Sequence, residues 1–391
     1  MGGLYYNHLM AKQRMFVGLS SGWSKGIDAA LVAISGRRER MKVAQVGQCH
    51  HVLHDDVSDR LREAGEGEAL MAGRWARLDT DVGDQLAQAT SKLMSTCGVD
   101  AAGISAIGFS GCAVRTEGSM QDHSALLGSA ADLAAKTSLP VVGGFPLSDI
   151  AAGGIGGPME AWPDWLVFRH RRLSRVVVHL GGAASITFVP AASDPSDVLA
   201  FDVAPCGIVL DRLAERFFHK PFDADGVIAA TGRMSPALLN ELYAASFFHQ
   251  PPPKLANPHE WPGQYIDRVS IMAEKHGVDP AGQIATYTEL IARAVSEAIA
   301  GLTERPHEVI LAGGAARNIH LAARIRALMS PSSTYAMDRY GFSMVSYKAV
   351  CYAVLAAARI DGHPAHCTRA TGGRGHSILG AVWLPPVRKN K

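Results

Sequence analysis

One pattern recurs far apart in this 391-residue chain. Residues 15–34 read as an apolar strand, MFVGLS, a small polar turn, SGWSKG, and a second apolar strand, IDAALVAIS. About 160 residues further on, RVVVHL (175–180), the turn GGAAS and ITFVP repeat it. A tight reversal between two buried strands needs small residues, and both turns supply them. Hairpins this far apart predict two similar lobes. Leu61, Leu70, Leu78, Leu86 and Leu93 fall at helical spacing within 58–98. Helices are also expected over 125–138, 205–220, 233–247 and 281–304, and over AARNIHLAARIRALM after the strand HEVILAGG. Strands and helices mixed throughout place the chain in the α/β class.

Composition narrows the function classes. Lys and Arg number 38 against 36 Asp and Glu, a formal charge of +2, which excludes a grip on nucleic acid or membrane built from a basic surface. No apolar run approaches the 18 residues of a membrane span. Six cysteines lie scattered without a CxxC, the usage of reduced thiols, so a cytoplasmic setting is expected. Residues 1–14, MGGLYYNHLMAKQR, lack the apolar core of a signal peptide and read as an extension before the first strand.

Part of the excess among the 40 glycines sits where strands end. The first turn, Ser20 to Gly26, offers backbone N–H groups and hydroxyls that can cradle an anion, or is an ordinary hairpin. Through Gly18, Ser20 and Gly22 it also matches G-x-S-x-G, a nucleophile elbow that would make Ser20 an esterase serine; that geometry needs a helix next, and an apolar strand follows instead. The second turn, Gly181-Gly182-Ala183-Ala184-Ser185, repeats the geometry. The third, Ala312-Gly313-Gly314-Ala315-Ala316-Arg317-Asn318, leads into a helix, where glycine lets a ring or phosphate approach the backbone. Three such turns together point to a nucleotide held between lobes. Ala151 to Pro158 is an Ala- and Gly-dense hinge or acceptor-site loop.

Three acidic or metal-like groups carry alternatives. Asp202 follows the apolar Val198 to Phe201, where a carboxylate at a strand end serves as a general base or as an acid before a helix. Asp223-Ala224-Asp225-Gly226 is a capping turn or touches a metal. The run Cys49 to Asp56 looks like a metal cluster, but strand neighbours alternate faces and no second ligand group follows at zinc spacing, which favours a solvated loop or strand end.

The order of these motifs resembles the anhydro-N-acetylmuramic acid kinases, sugar kinases with a two-lobed actin/Hsp70/hexokinase-like (ribonuclease H-like) fold and an interlobe cleft. The resemblance runs from about Met15 to Pro385 through GLSSGWSKGID, DIAAGGIGGP, VVVHLGGAAS, FDVAPCGIVLD, FDADGVIAATG, AGGAARN and ILGAVWLP. It implies an N-terminal lobe over 15–145, joined by 376–388, and a C-terminal lobe over 146–375. It implies hydrolysis of a 1,6-anhydro ring coupled to O6 phosphorylation by ATP with Mg2+, a small-molecule sugar substrate, and room for a homodimer. Asp202 would be the base. Ser21, Gly22, Ser24, Gly181 and Gly182 would hold phosphates, Gly313, Gly314, Arg317 and Asn318 the rest of the nucleotide, and Asp28 the metal. Arg115, Asp149, Gly153 and Gly154 would lie at the sugar. This chain departs from the family pattern with Trp23 and Lys25 in the first turn and Lys348 where an acid is expected. Those cations motivate a rival expectation, a pseudokinase that only binds a ligand or partner.

Overall fold

The computed structural model describes residues 13–21, 26–65, 70–115, 124–256, 261, 264–375 and 377–387, with Arg115 and Ser124 described through their backbone alone. The first hairpin forms as expected, β1 (Arg14–Ser21) and β2 (Gly26–Ser35), and β3 (Lys42–Val52) extends it. β4 (Ile104–Phe109) then lies parallel to β1 on its other side. A small ribbon, β5 (Cys112–Arg115) and β6 (Ser124–Leu127), precedes β7 (Val141–Gly143), which runs parallel to β4. The second sheet repeats this winding. β8 (Arg175–Leu180), β9 (Ala183–Val189) and β10 (Leu199–Pro205) are antiparallel, and β11 (Glu308–Ala312) and β12 (Ser333–Ala336) add in parallel beyond β8. Late in the chain, β13 (Ala381–Trp383) returns to the edge of the first sheet beside β7. Both sheets therefore read third, second, first, fourth, fifth strand. This duplicated ribonuclease H-like winding is the two-lobed fold that the motif order implied.

Strand alternation sorts the apolar side chains into three cores. Val17, Leu19, Ala29 and Leu31 pack outward beneath the helix Ala72–Cys97. Val176, Val178, Phe201 and Val203 pack outward against the helices Gly207–Phe218 and Pro280–Ala300. The alternate positions, Phe16, Ala30, Val32, Val177, Val198, Ala200 and Ile310, share one core between the sheets with the helices Ala161–Phe168 and Tyr347–Ile360. The latter helix lies so close to the first sheet that a Cβ at Gly18 would overlap the Ala349 carbonyl, and one at Gly108 the Tyr352 carbonyl. Gly18 and Gly108 are cross-strand partners, so two adjacent strands present a smooth floor. That is the duty of Gly18. Ser20 faces Asp28 and leads into β2, not a helix, so the nucleophile-elbow geometry is absent.

Local breaks refine the helix expectations. The run 58–98 is two helices, Asp55–Gly65 and Ala72–Cys97, the second ended by Gly98 in the left-handed region at φ 64°. Of 125–138, the first residues belong to β6 and only Ala130–Thr137 is helical, capped by Ser129. The run 233–247 divides into Pro236–Tyr243 and Ser246–His249. No helix among the described residues is long and apolar enough to cross a membrane.

Candidate active site

Asp202 lies on β10, and the register with β9 slips between Asp202 and Ala204. Such a bulge bends the strand and re-aims a side chain. Phe201 and Val203 face the outer core while Val198 and Ala200 face the core between the sheets, so alternation turns Asp202 toward the interlobe side. The Pro-rich segment after Gln250 crosses behind it. Asp202 donates its N–H to the Lys254 carbonyl (3.0 Å), and its Oδ2 accepts from the Ala256 N–H (2.8 Å). Lys254 is buried with its ammonium on the Phe247 carbonyl (2.9 Å) and over the Phe247 ring. Burial pulls that ammonium below the ordinary lysine range, and the charge on Asp202 works against the shift.

A second set of charges lines the same layer. His179, on the interlobe face of β8, meets Asp164 at 2.8 Å, and both are buried. Glu160, at the start of Ala161–Phe168, pairs with Lys348 at 2.8 Å. Burial opposes the charge on Glu160, yet Lys348 and His179 outweigh it and hold its carboxyl below the usual range. Lys348 comes from the first turn of Tyr347–Ile360, is about half exposed (51%), and feels both Glu160 and Asp202, which stabilise its cationic form despite the desolvating surroundings. Carboxylates and cations therefore pair off in this layer, with Lys348 in the field of Asp202. Of these groups, sequence reasoning picked out only Asp202 and Lys348. Two acids within the apolar run MEAWPDWLVF and a histidine within RVVVHL were the available signal.

The β8–β9 turn lies open to solvent. Gly181 and Gly182 are exposed, and a Cβ at Gly182 would meet nothing within 4 Å. Their carbonyls accept from Cys206, Gly207 and Ile208 at 2.8 to 3.2 Å, which ties the turn to the helix that follows Asp202. On the first hairpin, the Ser110 Oγ accepts from the Ser21 N–H (3.2 Å) and donates to the Ser21 carbonyl (3.0 Å). Gly22, Trp23, Ser24 and Lys25 lie outside the described residues, as does the side chain of Arg115.

Two expected ligand contacts take internal partners instead. Asp149 has no exposed surface; its Oδ2 accepts from the Gly156 N–H (2.7 Å), and its Oδ1 meets His366 Nε2 (2.6 Å) and the Thr371 hydroxyl (2.7 Å). A Cβ on Gly154 would overlap that carboxylate, while Gly153 is exposed at φ 86°. Asn318 is buried and caps Ile319–Met329, its Oδ1 accepting from the Leu321 N–H (2.9 Å). Physical reasons are plain: a fully buried carboxylate must be satisfied internally, and a helix start exposes orphan N–H groups. Gly313, at φ 96°, fits under the Leu180 carbonyl where no Cβ could, and Gly314 and Arg317 are exposed beside it. Asp223 caps Val227–Thr231 through both oxygens (2.8 and 3.0 Å), the capping alternative for that turn. The Cys49–His51 stretch alternates exposed and half-buried along β3, and no group of three metal-type side chains gathers among the described residues.

The family profile for anhydro-N-acetylmuramic acid kinase matches residues 14–385. The chain belongs to that family. A relative from Salinibacter ruber named anhydro-N-acetylmuramic acid kinase is 30% identical over 95% of this chain and 97% of its own. One from Gloeobacter violaceus is 31% identical over 94% and 97%. One from Xanthomonas axonopodis pv. citri is 32% identical over 94% and 98%. Within the anhydro-N-acetylmuramic acid kinase family, then, this chain carries an aspartate midway along β10 and a lysine in the first turn of Tyr347–Ile360.

Proposed function

We infer that the protein is an ATP-dependent sugar kinase that opens the 1,6-anhydro ring of an anhydro-N-acetylmuramic acid-type substrate while phosphorylating O6. The observation carrying this reading is Asp202, a half-buried carboxylate facing the interlobe layer on β10, whose end is hydrogen-bonded to the Gly181–Gly182 turn. Water bonds to the anomeric carbon as Asp202 takes its proton. The bond from that carbon to O6 breaks toward oxygen, O6 bonds to the γ-phosphorus, and the β–γ bridging bond breaks to release ADP. Positioning and charge stabilisation do most of the work in such a transfer. The exposed Gly181–Gly182 turn, with Ser21, Gly22 and Ser24, is assigned to the phosphates; Gly313, Gly314 and Arg317 are assigned to the nucleoside side.

Arg115, Gly153 and Gly154 are assigned to the sugar, with Asp149 holding the Gly153–Gly156 loop from behind and Asn318 holding the nucleotide-side helix. Asp28 shares the interlobe face of β2 with Ala30 and Val32, and its Oδ1 lies 2.8 Å from His50 Nδ1. Magnesium takes one or two carboxylates plus phosphate oxygens and water, so one accessible Asp28 fits it, supplying charge neutralisation when bound. We assign 15–145 with 376–388 to one side of the cleft and 146–375 to the other. Six cysteines without a disulfide suit a reducing, cytoplasmic setting.

Purified protein with ATP, magnesium and anhydro-N-acetylmuramic acid is expected to release ADP in step with sugar phosphate. Asp202→Asn is expected to lower kcat by about 10²- to 10⁴-fold with little change in melting temperature. No ADP above background with any anhydro sugar would refute the reading. An Asp202→Asn variant at full rate would remove Asp202 from the mechanism.

A further inference from the structure

We propose that Lys348 is a specificity residue that selects an acceptor sugar bearing a carboxylate, by pairing with that group beside Asp202. The proposal deepens the kinase reading and rests on it for the location of the acceptor.

Three carboxylates, Asp202, Glu160 and Asp164, converge on the interlobe layer, two of them buried. An anionic sugar entering against such a wall would be repelled unless a cation met it. His179 cannot supply that contact, because it is buried and already bonded to Asp164. Lys254 cannot either, since its ammonium is buried on main-chain carbonyls. Lys348 differs from both. Half of its side chain is open to solvent, one side of its ammonium is held by Glu160 at 2.8 Å, and it lies within electrostatic reach of Asp202.

Its place is also fixed. It leads the helix whose next residue, Ala349, seats its carbonyl against Gly18, so the backbone beneath it cannot drift. An ammonium has three donors. The ion pair with Glu160 occupies one side of the ammonium and leaves its solvent side for a ligand oxygen. A base must touch the acceptor to work, so a substituent on that acceptor falls within the span of a lysine that senses the same base. A neutral sugar would leave this ammonium solvated and gain nothing from it.

The test compares anhydro-N-acetylmuramic acid with its methyl ester, using wild type, Lys348→Arg, and the double variant Glu160→Gln/Lys348→Met. The double variant avoids stranding a buried carboxylate without its cation. Wild type and Lys348→Arg are expected to favour the acid in KM by about tenfold or more. The double variant is expected to lose that preference, with the KM for ATP changed less than threefold. A preference that survives in the double variant overturns the proposal, and so does an effect confined to the KM for ATP, which would assign the lysine to the nucleotide phosphates. Calorimetric binding of the acid and ester without ATP separates the two readings. A carboxylate preference in wild type that vanishes in the double variant supports Lys348 even if no turnover is found; equal binding of acid and ester by wild type refutes it.

Discussion

His179 and His366 each face a buried aspartate, at 2.8 and 2.6 Å, and each keeps its proton to higher pH than an ordinary histidine. Burial disfavours the imidazolium in both, but Asp164 (with Glu160) and Asp149 outweigh it, so both folded pKa values lie above the ordinary 6.5. The folded state therefore holds protons that the unfolded chain releases. The stability from these pairs is complete below about pH 6.5 and fades as pH rises through the raised values. The melting temperature is expected to fall as pH rises above about 6.5, and His366→Gln is expected to flatten part of that slope; a profile unchanged by the substitution would show that the pair contributes nothing. At this scale the sequence was half legible. Asp202 stood out from its place after an apolar strand. The internal duty of Asp149 did not, because its histidine is 217 positions away. The capping role of Asn318 was readable in principle, as Asn before an apolar helical run, but competed with its place in a glycine turn.

The glycines of β1 and β4 set how closely the helix Tyr347–Ile360 can approach the sheet. Gly108→Ala would drive a methyl into the Tyr352 backbone, which cannot rotate away as a side chain can. Overpacking of this kind costs about 1–3 kcal/mol and occasionally more. Gly73, within Ala72–Cys97 and with nothing within 4 Å of its Cβ position, is the control; Ala there is expected to be neutral or stabilising by about 1 kcal/mol. Urea unfolding of both variants checks the contrast, and equal midpoints would refute the close seam. Elements themselves were mostly legible from period and apolar runs. Their ends were less so: Gly65 and Gly98 mark the bounds of two helices where leucine spacing alone read one. The bulge at Asp202 has no mark in VLAFDVAP, because a one-residue slip is decided by the partner strand.

The whole molecule was legible for one reason, that its strand pattern occurs twice and winding rules leave few ways to complete each copy. The charge layer was not, since Glu160, His179 and Lys348 come from three separate segments that only the tertiary fold assembles. The core between the sheets has a further effect. Phe16, Ala30 and Ala106 of the first sheet are covered by residues numbered above 340, and β13 closes that sheet from 381–383. A fragment ending at residue 145 would expose this face, so it is expected to bind a hydrophobic dye and to be cut rapidly by protease where the full chain resists; a compact, protected fragment would contradict the shared core. The same seam constrains descent. A drifting side chain in β1 or β4 must be answered in Tyr347–Ile360, so positions around Gly18 and Ala349, and around Gly108 and Tyr352, should covary across relatives although the chain separates each pair by hundreds of residues.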